Sequence, residues 1–164
     1  MIVRPATDGD DRLAIGQVYV DSWRAAYRGL IPQAYLDGLD ARNWLGVLDA
    51  PQRTSFLLLD GDAIAGTCSC CPARSPEMAG WGEVVSLYLK PAYWGRGLGV
   101  PLLGAALDEL AGQGYPSVYL WVLKGNLRAQ AFYRRQGFAP SGARLEGEVG
   151  GQPVKEIQYT RPLA

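Results

Sequence analysis

No histidine occurs anywhere in the 164 residues of the sequence. That removes Ser-His-Asp and Cys-His catalysis, HExxH zinc sites and every imidazole acid or base, and leaves carboxylate, tyrosine, lysine or backbone groups to carry any chemistry. Cysteine is scarce: Cys68, Cys70 and Cys71 are all there is. An odd number crowded into one segment is not a disulfide framework, and no histidine or distant cysteine completes the roughly four ligands of a structural zinc site. They read as ordinary strand cysteines of a protein kept in a reducing cytoplasm. No charge of one sign prevails, since 16 Lys and Arg balance 16 Asp and Glu. Broad attraction to nucleic acid or a membrane surface is therefore not expected, and an anionic ligand must be caught locally. No apolar run approaches the roughly 20 residues needed to span a bilayer, and Met1-Ile-Val-Arg-Pro5 lacks a signal-peptide apolar region. No membrane partner is expected.

What the sequence does have is apolar material, 48% of its residues, enough for the core of one domain over 1–164. Ile2 to Arg4 reads as a short extended start. Asp8, Asp10 and Asp11 precede Leu13, Val20, Trp23, Tyr27 and Leu30 at helical spacing. Pro32 suits the first turn of a second short helix carrying Tyr35, Leu36 and Leu39, and Trp44, Leu45 and Leu48 suggest a further turn or two. Phe56 to Leu59, a turn at Asp60-Gly-Asp62, and Ile64 to Cys71 read as a β-hairpin. A loop from Arg74 to Gly82 leads into a strand from Glu83 to Leu89, stopped by Pro91. A helix from Leu98 to Leu110, a strand from Ser117 to Leu123 and a helix opened by Asn126 and closed at Gly137 follow. Two last strands, Phe138 to Leu145 and Val154 to Arg161, are expected on either side of a connection from Glu146 to Pro153.

The chemistry concentrates at Trp94-Gly-Arg-Gly-Leu-Gly99, between a strand and a helix. Free amides and the positive end of the helix dipole there suit a phosphate, glycines let the chain curl around it, and Arg96 offers a charge-assisted contact. A dinucleotide GxGxxG fails in both registers, because Val100 and Leu102 stand where its last glycine belongs. A Walker A loop fails because the turn holds no lysine. A tight structural turn remains the alternative reading of the glycines.

With Leu120-Trp-Val-Leu-Lys-Gly-Asn126, Ala131-Phe-Tyr133 and Gly137-Phe138 in order behind it, the segment from Glu83 to Phe138 resembles the GNAT superfamily of N-acetyltransferases. The family's pyrophosphate loop, Arg/Gln-x-x-Gly-x-Gly/Ala, corresponds to Trp94 through Gly99. Trp94 departs from the pattern, so a side-chain contact is lost there while the amide-based part survives. The resemblance implies a mixed α/β fold: a central twisted, mostly antiparallel sheet, helices on both faces, and acetyl-CoA wedged where two strands splay.

It also implies roles. Amides of Gly95, Arg96, Gly97, Leu98, Gly99 and Val100 would hold the acetyl-CoA pyrophosphate. The main chain of Leu87 and Leu89 would pair with the pantetheine arm like an added strand. The Leu87 amide would face the thioester carbonyl and stabilise the oxyanion formed on attack, an effect worth roughly 3 kcal/mol. Tyr133 would reprotonate the departing thiolate, with a packed core tyrosine as the alternative. Asn126 would contact the pantetheine or simply cap the following helix. Glu83 is the first candidate base, at an offset before Trp94 that resembles the glutamate of the family's histone acetyltransferases. Strand alternation places it beside Val85, Leu87 and Leu89, where apolar surroundings would raise its pKa; a plain surface glutamate is the alternative.

No metal is required. Direct transfer in a ternary complex to a primary amine, on a small molecule or a peptide, is the expected reaction. Trp23, Tyr27 and Tyr35 are assigned mainly to the core, and Arg24 and Arg28 would favour a carboxylate- or phosphate-bearing acceptor only if they faced the groove. A non-catalytic acyl-CoA-binding or sensing module is the rival function, and a homodimer is compatible with the family.

Overall fold

A computed structural model describes residues 1–163. Seven strands form one sheet: β1 (Ile2–Pro5), β2 (Thr54–Asp60), β3 (Ala63–Pro72), β4 (Gly82–Leu89), β5 (Ser117–Leu123), β6 (Ala139–Val149) and β7 (Gln152–Pro162), in the order β1-β2-β3-β4-β5-β7-β6. Every neighbouring pair is antiparallel except β4 with β5. Four α-helices accompany it: α1 (Arg12–Ala26), α2 (Gln33–Asp37), α3 (Gly99–Gly112) and α4 (Leu127–Arg135). This is the mixed α/β, mostly antiparallel architecture that the sequence implies.

Alternation along the strands sorts the core into two layers. Phe56 and Leu58 of β2 join Leu102, Leu103, Ala106 and Leu110 of α3 on one face, while Leu57 packs with Ile15 and Tyr19 of α1 on the other. Complete burial of Leu102, Leu103 and Leu110 contributes about 2 kcal/mol each. At the start of α1, the Asp11 side chain accepts from the amides of Leu13 and Ala14 at 3.0 and 3.1 Å, which stops the helix from fraying into the loop before it. Pro101 falls in the first turn of α3, where its missing N–H costs little.

Two local features differ from the reading of the sequence. The last two strands are longer than expected, because Gly150 and Gly151, with φ of 59° and 80°, close β6 onto β7 in a two-residue turn in place of a loop from Glu146 to Pro153. The second is a bulge in β4. Ser86 pairs with Ser69 and Val84 with Cys70, leaving Val85 as the extra residue. The bulge reverses the alternation, so Leu87 and Leu89 join Val84 on the α3 face, whereas Ser86 and Tyr88 meet Tyr19 of α1.

Candidate active site

Parallel pairing between β4 and β5 lasts only for Gly82 with Val118 and Glu83 with Tyr119. Beyond that point the strands part, and the β4 edge from Val84 onward has no partner strand on the β5 side. A cavity of about 890 Å³ fills the gap. Leu87, Leu89, Asn126 and Tyr133 all line it. Gly95, Gly97, Leu98, Gly99 and Val100 reach it as well.

The glycine loop is built to expose main chain. Gly95 and Gly97 sit at φ of 72° and 73°, a region closed to most side chains. No side chain caps α3 behind them, which leaves first-turn amides and the dipole to whatever occupies the loop. Trp94 pins the loop to the end of β4, its indole N–H donating to the Leu89 carbonyl at 2.8 Å. Arg128 of α4 stacks on that indole, its guanidinium carbon 3.9 Å from the ring centroid, and lines the cavity. Among the described residues no carboxylate pairs with it, and partial burial lowers its pKa from the ordinary arginine value. Arg96, expected as the phosphate helper, instead lies exposed over the Tyr93 ring at 5.4 Å and does not line the cavity. A free cation of this site therefore comes from a helix the loop motif does not include.

Tyr133 is 9% exposed, held edge-on by Phe132 and Phe138 at 5.4 and 5.7 Å. Burial, with smaller contributions from Cys68 and Tyr88, raises its phenol pKa well above the ordinary tyrosine value, so it keeps its proton. The Asn126 side chain accepts from the Ala129 amide at 3.2 Å and caps α4 while lining the cavity. The three thiols are buried and free; burial pushes the Cys70 pKa up to about 12, and none is poised as a nucleophile.

Glu83 departs from expectation. The bulge sets it on the Tyr119 face, away from Leu87 and Leu89, and it is 1% exposed. Arg74 grips both oxygens, Nη2 donating to Oε2 at 2.6 Å and Nε to Oε1 at 3.1 Å, and the Tyr119 hydroxyl donates to Oε1 at 2.7 Å. Burial alone would raise its pKa, but these donors and the Arg74 charge outweigh it, and the pKa falls below the ordinary glutamate value. The expected raised pKa is thus reversed: this carboxylate is held in its charged form by partners that apolar surroundings alone would not supply.

A stability test follows. Arg74→Ala strips a buried carboxylate of its main partner and is expected to destabilise the fold by about 2 kcal/mol at neutral pH, since the arginine is itself half exposed. A depressed folded pKa gives stability that is present above the unfolded glutamate pKa and lost as pH falls through the folded one. Urea denaturation of the two proteins should therefore converge as the pH falls through the lowered Glu83 pKa; a gap that keeps its size in strong acid would contradict the ion-pair account.

One end of the cavity lies between α1 and the β6–β7 hairpin. Trp23 and Tyr27, assigned to the core on spacing, line it while also packing edge to face at 5.0 Å. Tyr35 is exposed. Arg24 does not face the groove as a free charge, because it donates to the carbonyls of Leu36, Asp37 and Leu39 and ties α2 to α1; Arg28 is exposed and outside the lining. Leu145 and Glu156 of the hairpin complete this end. Sequence reasoning missed Arg74, Arg128 and Glu156. A tryptophan where a cation belongs was a signal to look for another cation nearby, and the alternation Glu156-Ile157-Gln158-Tyr159 marked one face of β7 as polar.

Among the described residues no cluster of His, Cys, Asp or Glu is arranged to hold a metal, and no helix is long and apolar enough to cross a membrane. Comparison with known proteins matches residues 14–138 to the acetyltransferase (GNAT) family. An uncharacterised N-acetyltransferase of Bacillus subtilis, YuaI, is 27% identical over 90% of this chain and 86% of its own length. PaiA N-acetyltransferase from Thermoplasma acidophilum, solved in complex with coenzyme A, superposes with a TM-score of 0.76 at 18% identity over 99% of both chains. The acetyltransferase yncA of Salmonella typhimurium, solved with acetyl-CoA, superposes with a TM-score of 0.77 at 22% identity over 100% of this chain and 94% of that one.

Proposed function

The chain belongs to the acetyltransferase (GNAT) family and is an N-acetyltransferase; on that premise we propose that it passes an acetyl group from acetyl-CoA directly to a primary amine, both substrates being bound together. The observation that carries this reading is the parting of β4 from β5 beside an uncapped, glycine-lined helix start. An open strand edge accepts an extended amide-bearing arm, and the loop accepts its phosphates. Acetyl-CoA supplies the activated acetyl group. The amides of Gly95 to Val100 hold the pyrophosphate, Arg128 adds the charge that Trp94 does not, and the β4 edge at Leu87 and Leu89 aligns the pantetheine. The Leu87 amide donates to the carbonyl oxygen as it gains charge. Tyr133 gives its proton to the departing sulphur. A covalent route through cysteine is disfavoured by the burial and raised pKa of Cys68 and Cys70.

Arg128→Ala is expected to weaken acetyl-CoA binding about tenfold, the worth of one charge-assisted contact in a partly buried place, and to leave the binding of phosphate-free fragments such as pantetheine unchanged. Equal affinity of the variant and the parent for acetyl-CoA would remove Arg128 from the site. The function itself is tested by thiol release from acetyl-CoA in the presence of a panel of amines. Amine-dependent release supports transfer, whereas tight binding without release for any amine would favour a sensing module.

A further inference from the structure

Glu156 stands on β7 opposite Leu123 of β5 and Leu145 of β6, on the sheet face that looks away from the Tyr159 core. It is half-buried and lines the end of the cavity between α1 and the β6–β7 hairpin. Among the described residues its carboxylate has no hydrogen-bond or ion-pair partner. Burial raises its pKa, and the nearby Arg74 charge offsets only part of that; Nε and Nη2 of that guanidinium donate to Glu83. The groups that face it are Tyr27 from α1 and Arg74 from the β3–β4 connection, while its neighbours on β5 and β6 are leucines. Glu83 is sealed between Arg74 and Tyr119; Glu156 is the carboxylate of this cavity that is both half-buried and free.

The cavity wall around it is apolar and aromatic: Trp23, Tyr27, Trp121 and Leu145. Both nearby arginines are already engaged through Nε and Nη2. Arg74 is occupied by Glu83, and Arg24 by the carbonyls of α2 and the residues after it.

We propose that Glu156 is the catalytic residue that takes the proton from the acceptor ammonium, and that the acceptor is a primary amine on an apolar body with no carboxylate beside the nitrogen. This rests on the transfer reading above. Glu156 removes one proton from the ammonium and passes it to solvent. The freed nitrogen pair forms the C–N bond at the thioester carbonyl carbon, and the C–S bond breaks with its electron pair on sulphur. Tyr133 protonates the sulphur, and the second proton shed by nitrogen returns through water to the phenolate. The sum is one amide, one thiol and one proton released.

The test uses phenethylamine and phenylalanine, which share a body and differ in the carboxylate. The full chain is expected to acetylate phenethylamine with a kcat/KM about 10²-fold higher or more, because the carboxylate would face Glu156 without a cation to meet it. Glu156→Gln should lower kcat for phenethylamine about 10²-fold while leaving acetyl-CoA affinity unchanged. Its rate should then climb with pH until the amine itself deprotonates, where the parent levels off once Glu156 is ionised. Glu156→Asp, which keeps the carboxylate, should recover part of the rate and the parent's plateau. A Glu156→Gln variant with the parent's rate and pH profile, or preference for phenylalanine, would overturn the assignment while leaving transfer intact. Acetyl-CoA binding with no release for either amine would be a failure of the transfer reading, and the assignment would fall with it.

Discussion

Tyr133→Phe is expected to lower kcat for amine acetylation by about 10²-fold or more while leaving the affinity for acetyl-CoA unchanged. The reason lies in what the substitution removes. No described residue bonds to the phenol oxygen, and the ring is held by Phe132 and Phe138, so phenylalanine keeps the packing and loses only the proton donor. Stability should change by no more than about 0.5 kcal/mol. Burial keeps the phenol protonated across the physiological range, as a proton donor must be before the sulphur leaves. That raised pKa is no obstacle, because a thiolate expelled into the same poorly solvated place is itself a stronger base than in water. Measuring kcat and the acetyl-CoA dissociation constant side by side separates the roles. A normal rate in a folded variant would return Tyr133 to the core.

Gly97→Val should strike the opposite quantity. At φ of 73° a β-branched residue is strained, and nothing lies within 4 Å of the place its Cβ would take, so the defect is conformational and not a clash. The strain of about 1–3 kcal/mol is relieved by the loop taking another path. Several amides then no longer converge on the phosphates, and acetyl-CoA affinity is expected to fall by about 10²–10³-fold. Thermal stability should hold, because the loop is exposed and α3 packs through Leu102, Leu103 and Leu110. Undiminished affinity would mean that the glycines serve the turn alone. Gly97→Ala, strained less than valine, should fall between.

Much of this was legible in the residues because the physics that reveals it is local. The helical spacing before α3, the apolar run of β2 and the glycines of the loop each announce themselves within a dozen positions. The bulge at Val85 does not. It depends on how Ser69 and Cys70 of β3 meet β4, and it alone moves Glu83 off the face of Leu87 and Leu89. The ion pair that lowers the Glu83 pKa is likewise set by the loop that returns Arg74 to the strand, together with Tyr119 from a strand far along the chain. Periodicity suggested an apolar setting for this carboxylate; tertiary contact supplied a cation. Arg128 over Trp94 and Glu156 beside Leu123 are also products of strand order and helix docking. The position of Trp94 could have prompted a search for the first, whereas the second needed the β5–β7 register.

The central claim is that the gap between β4 and β5 is an acetyl-CoA site, and calorimetric titration of the folded protein tests it most directly. Acetyl-CoA is predicted to bind with one site per chain, and NADH and ATP, titrated separately, at least about 10²-fold more weakly, because neither offers an arm to pair with the open β4 edge. No heat from acetyl-CoA in a folded sample, or equal binding of all three, would contradict the account.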